Sequence, residues 1–273
     1  MKMAAQQLPP WDNDPLSTFF RDAAYNERAS SLNFAPIFAL LQRIDGAVRD
    51  MEGAVEKDNV QELERVVPRL LAVRTHGSFL AGMRLAMSGQ LSESYAVLRG
   101  CIELYWYALH IAKDPKAPDR ANIWLNRGDD VQSKRKCQNE FRVSKVRSTH
   151  ELIDRATAKQ LREFYEVTID FGGHPNEKSL FGTMSRSETE NETNYKVGIL
   201  SFHEPHLVVA SLRLAAGVAI GVLKVFQLIF TERFAILSLD SKIDSLVMDV
   251  NAVFTQYAQK GSGQGIAAPI DRH

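Results

Sequence analysis

Apolar residues recur along most of this chain at three- and four-residue steps, the spacing of helices that bury one face. Over residues 35–56, Ile37, Leu40, Leu41, Ile44, Val48, Met51 and Val55 keep that step and predict one amphipathic helix. Ahead of it, Asp14-Pro15 reads as an N-cap followed by proline at the first helical position, opening a short helix to about residue 28. Residues 59–88 continue the pattern, with Pro68 expected to kink or restart the helix and Gly89 to stop it. Leu152, Ala156, Leu161, Phe164, Val167 and Phe171 predict a helix over 149–171, ended by Gly172-Gly173. A last helix over 240–259 carries Ile243, Leu246, Val247, Val250, Val253, Phe254 and Tyr257 on one face.

Two segments are apolar almost all the way round and so read as the inner helices. In the first, residues 91–113, Ser92 is placed to cap the helix, and Ser92, Arg99, Glu103, Trp106 and His110 form one narrow polar stripe. The second, residues 207–230, has Ala210, Gly217 and Gly221 on a smooth seam where another helix can approach closely. Arg213 and Lys224 leave only ten residues between them, half a bilayer span, so a buried helix is expected rather than a membrane one.

One stretch breaks the helical period. LFGTMSRSETENETNYKVGIL holds two short runs, 179–185 and 194–200, around a polar tip, and reads as a β-hairpin. The predicted architecture is therefore all-α, a multi-helix bundle in one domain over 1–273, with a single hairpin insertion near 178–201. Residues 1–13 read as a loose arm and 260–273 as a flexible tail.

Charge changes the picture only locally. Lys plus Arg and Asp plus Glu both number 33, so no overall field draws in nucleic acid or membrane. Residues 127–150 are the exception, with seven basic residues against Asp129, Asp130 and Glu140; Lys134, Arg135, Lys136 and Arg142 are its candidate ligand contacts. A solvated surface helix is the plainer account of that run, since Phe141 is the one aromatic within it. Cys101 and Cys137 have neither metal nor redox spacing, and the first residues hold no apolar run of signal-peptide length, so a cytoplasmic setting is expected.

The candidate chemistry centres on the stripe. A guanidinium and a carboxylate four residues apart on a greasy helix must satisfy each other or meet a ligand. If the hairpin goes out and returns, His174 comes near His203 and His206 at the mouth of the bundle. Arg99 would then hold an anion such as phosphate, Glu103 would orient it, and His174 would move protons near neutral pH. The plainer reading is an internal Arg99–Glu103 ion pair in a helical interaction or scaffold protein. No phosphate loop, dinucleotide fingerprint, nucleophile elbow or zinc-protease motif occurs, and no cofactor or metal is implied.

The sequences SGQLSESYAVLRGCIELYWYALHI and FYEVTIDFGGHPN together resemble HEPN-like all-helical bacterial proteins, including abortive-infection-associated families, over about residues 78–176. That resemblance implies a helical bundle, often a homodimer, which in nuclease members cleaves RNA without metal. It places Arg99 and Glu103 in a first motif and Tyr165 and His174 in a second; His110, His203 and His206 are candidate ligand contacts apart from the resemblance. Nuclease members carry Arg, four to six residues, then His; Arg99 has no His at that spacing, Arg147 to His150 is too short and Arg142 to His150 too long. RNA or another phosphate-bearing ligand is thus the expected partner, with or without cleavage.

Overall fold

The computed structural model describes residues 14–56, 61–173, 177, 184–188, 192–201 and 205–261. The arm, most of the tail, His174 and His203 lie outside these residues.

Asp14, in extended conformation, accepts the Leu16 and Ser17 amides at 2.9 and 3.1 Å, and Pro15 opens α1 (Pro15–Asn33). The helix runs past its predicted end at 28, because Asn26 and Ser30 donate to the carbonyls of Ser88 and Met87 and pin that stretch to α3 (Leu63–Ser88). α2 (Ala35–Glu56) has its predicted bounds and buries every residue of its predicted face. α3 passes through Pro68 without restarting. The proline stands in the second turn and leaves only the Glu64 carbonyl without its amide. His76 of α3 is clamped by two carboxylates of α2, Nε2 to Asp45 at 2.7 Å and Nδ1 to Glu52 at 3.0 Å.

Gly89 ends α3 at φ 87, a left-handed conformation that glycine enters without steric cost, and the chain returns as α4 (Leu91–Ala112). This tight turn starts α4 early. Gln90 is therefore the N-cap residue, without a side-chain bond to the helix amides, and Ser92 lies inside the first turn instead of capping it. The two helices approach closely at Gly82, where a Cβ would stand 2.9 Å from Leu98 Cδ2. Ser94 donates to the Gly82 carbonyl at 2.8 Å and meets the Ser211 hydroxyl at 3.2 Å, joining three helices at one buried point.

α5 (Asp119–Leu125) carries Trp124, and α6 (Val131–Glu140) and α7 (Val143–Ile153) hold the basic stretch. The helix predicted over 149–171 is two helices. Asp154 is extended and its carboxylate accepts the Ala156 and Thr157 amides, each at 3.1 Å, so it ends α7 and caps α8 (Arg155–Thr168). Leu152, assigned to the buried face, is 88% exposed for the same reason. After α8 a π-turn, Ile169–Gly173, crosses the start of α4. A Cβ at Gly172 would lie 2.4 Å from the Ser92 carbonyl oxygen, so this crossing requires glycine.

The hairpin pairs β1 (Met184–Glu188) antiparallel with β2 (Thr193–Val197), Met184 opposite Val197 and Glu188 opposite Thr193. Of the predicted first run, 179–185, residues 184 and 185 lie in β1 and 179–183 fall outside the described residues, while the predicted second run, 194–200, lies in β2 through 197.

α9 (Pro205–Ile229) is the second inner helix and touches α2, α3, α4, α8 and a final helix, α11 (Leu239–Gly261), reached through the short α10 (Thr231–Ile236). Its small residues set the depth of contact. A Cβ at Gly217 would come 2.6 Å from Phe164 Cζ, and one at Gly221 2.2 Å from Leu161 Cδ2, so the helix expected on this seam is α8. By length and composition α9 alone among the described residues passes as a membrane span, with mean hydropathy 1.9, and 67% of that window is buried against the other helices. Cys101 on α4 and Cys137 on α6 are free thiols, both buried. The described chain is an all-α bundle with one small hairpin.

Candidate functional site

From Arg99 to His110 the polar stripe of α4 faces α7 and α8, and this part divides into three clusters. In the first, Arg99 Nε donates to Glu103 Oε1 at 3.0 Å, and the Tyr165 hydroxyl of α8 donates to the same oxygen at 2.9 Å. The guanidinium also lies over the Tyr165 ring, 5.4 Å from its centre. The pair is not deep in the core: the two side chains keep 27% and 30% of their exposure. Burial and the Glu103 charge push the Tyr165 phenol up to about 12. For Arg99, burial is outweighed by Glu103, and its pKa is raised. Both groups hold their protons through the neutral range, so they supply fixed donors and charge, not proton transfer.

One turn on, Trp106 is buried and packs on Tyr165 at 5.0 Å. Arg147 of α7 reaches over the Trp106 ring at 5.9 Å and pairs with Glu166 of α8 at 3.3 Å. The indole N–H donates to His150 Nδ1 at 3.3 Å. An indole can only donate, so Nδ1 accepts and the neutral ring carries its proton on Nε2. That Nε2 is buried and has no hydrogen-bond partner. Burial holds the His150 pKa down at about 4, against the pull of Asp154 and Glu151.

The third cluster surrounds His110, roughly 16 Å along α4 from Arg99 at 1.5 Å per residue. His110 is 2% exposed. Its Nε2 faces Glu140 Oε1 of α6 at 3.2 Å and its Nδ1 faces the Thr149 hydroxyl of α7 at 2.7 Å. Glu140 also accepts from Arg120 at 3.1 Å and Lys145 at 2.9 Å. These two cations already neutralise the carboxylate, so burial and the Arg120 charge prevail and lower the His110 pKa to about 4. Glu140 can only accept; the neutral ring is therefore protonated on Nε2, and Nδ1 accepts the Thr149 hydroxyl proton. The chain hydroxyl, imidazole, carboxylate has the connectivity of an activated nucleophile, but a base this weak is poorly matched to neutral pH. The cluster floors an open cavity of about 340 Å³ whose walls add Ser144 and Ser148 to those residues.

The structure thus joins Arg99, Glu103 and Tyr165, and separates His110 from them. Lys134, Arg135 and Lys136 are exposed on α6, and Arg142, between α6 and α7, donates to Asn139. His206 is exposed on the first turn of α9. The convergence of His174 and His203 on Arg99 falls outside the described residues. Sequence reading missed the partners of His110: Arg120, Glu140 and Thr149 are far apart in sequence, and only the α7 hydroxyls Ser144 and Ser148, one turn apart, mark that face as polar. Among the described residues no group of three or more His, Cys, Asp or Glu is arranged to hold a metal ion. Comparison with known protein families, with curated proteins and with solved structures finds no match.

Proposed function

We propose that the α4–α6–α7 face binds a phosphate-bearing ligand, RNA being the polymer it suits. The observation that carries this is the exposed run Lys134, Arg135 and Lys136, none of which meets a carboxylate among the described residues, on the helix that also supplies Glu140 to the His110 cavity. A phosphate entering there meets Lys145 and the hydroxyls of Ser144 and Ser148, while the three exposed cations follow the backbone beyond it. The resemblance of residues 78–176 to HEPN-like proteins favours RNA over a small phosphate ester. His110, with its pKa held near 4, favours binding over hydrolysis at neutral pH.

A second reading, a helical interaction protein, is favoured by one observation: Arg99, Arg147, Arg120 and Lys145 each already face a carboxylate. Fluorescence anisotropy with a labelled single-stranded RNA separates the two. Binding that weakens with salt, and a slope reduced by about 2 on replacing Lys134, Arg135 and Lys136 with Gln, as expected at roughly 0.7 per phosphate contact, supports RNA. No binding at low salt leaves the interaction protein.

A further inference from the structure

We infer that the groove between α8, α9 and α11 is a binding site for an anionic amphiphile, a long-chain carboxylate. The cavity holds about 580 Å³, within the range of small-molecule sites, and lies on the face of the bundle lined by α8 rather than by α6. Its floor is apolar, built from Phe164, Val167, Leu214, Ile220, Val247 and Val250. The shape of that floor follows from Gly217, whose missing side chain lets the tip of the Phe164 ring reach the α9 backbone.

The rim is what selects the head group. Arg213 and Lys224 both line the groove, and neither has an ion-pair or hydrogen-bond partner among the described residues. They stand three helical turns apart on α9, roughly 16 Å, and return to within about 20° of the same face. Gln160, Asn251 and Glu163 complete a rim of polar groups that bond to nothing described, and Glu163 is the one carboxylate lining the groove against the two cations. An apolar floor ringed by unpartnered polar groups is the mark of an interaction site. Its length and its net positive charge suit an extended hydrocarbon with an anionic end.

Titration calorimetry on the full chain with dodecanoate, dodecanol and butyrate tests this. The expected result is one dodecanoate per chain with a negative heat-capacity change, binding of dodecanol weaker by about tenfold, and no binding of butyrate. Of Arg213→Gln and Lys224→Gln, the one that removes the cation at the carboxylate end should weaken dodecanoate by about fivefold and the other should not, while both leave dodecanol unchanged. Val250→Asp should abolish both while circular dichroism and the melting transition report an intact fold; Val247→Asp repeats the measurement should the first variant not fold. Equal affinity for dodecanoate and dodecanol, or absence of binding at millimolar ligand, overturns the proposal. So does a dimer in sedimentation equilibrium that Val250→Asp dissociates, because the groove is then covered by a second copy.

Discussion

Acidifying this protein from pH 7.5 to pH 5 should remove a large part of its stability through two buried imidazoles. His110 and His150 are 2% and 0% exposed, and each has its pKa lowered from 6.5 to about 4 in the fold. Because the folded value lies below the unfolded one, the unfolded chain takes up the extra protons; stability is complete above about 6.5 and is lost as pH falls toward 4. With these values, each ring costs about 2 kcal/mol between pH 7.5 and 5, and the pair roughly 4 kcal/mol, against a typical total of about 5–15 kcal/mol. The window separates the imidazoles from Glu140 and Asp154, whose lowered pKa values postpone their protonation to more acidic solution. Urea midpoints at constant ionic strength measure the loss, and His110→Gln should halve it, whatever that variant's stability at pH 7.5. A wild-type midpoint that stays level across the window, or an unaltered slope in His110→Gln, would refute the assignment of both rings as buried and neutral.

Three further substitutions test the packing. Gly217→Val should lower the melting temperature, because its Cβ meets the rigid Phe164 ring at 2.6 Å and overpacking costs about 1–3 kcal/mol, whereas Gly46→Ala on α2, with nothing within 4 Å, should raise stability by up to about 1 kcal/mol. Arg99→Gln should cost less than about 1 kcal/mol in a urea titration, since the pair keeps nearly a third of its exposure and its partner is one turn away; a loss of several kcal/mol would show the pair to be dry.

The elements legible in the sequence were those whose period ran unbroken to a terminator. α2 met its predicted bounds because seven apolar residues kept step, and Gly89 ended α3 as expected. The seam at Gly217 and Gly221 was legible as a place of close approach, but not its occupant, since nothing in α9 names Leu161 and Phe164. The break at Asp154 was hidden because an aspartate on the polar side of an apolar period looks like an ordinary surface residue until its carboxylate turns back onto the chain. In the candidate site, Arg99 and Glu103 were readable from four-residue spacing. Trp106 and His110 were placed on the same stripe, yet their burial depends on α7 lying over them, which is a tertiary matter.

The two free thiols give the molecule a pair of built-in reporters of breathing. Cys101 sits at the centre of the bundle and Cys137 on the outer α6 layer, each sealed from reagent while the helices are closed. Burial raises both thiol pKa values, so neither reacts until its surroundings part. Alkylation kinetics therefore time two separate events in one sample: detachment of the α6 layer through Cys137, and disruption of the centre through Cys101.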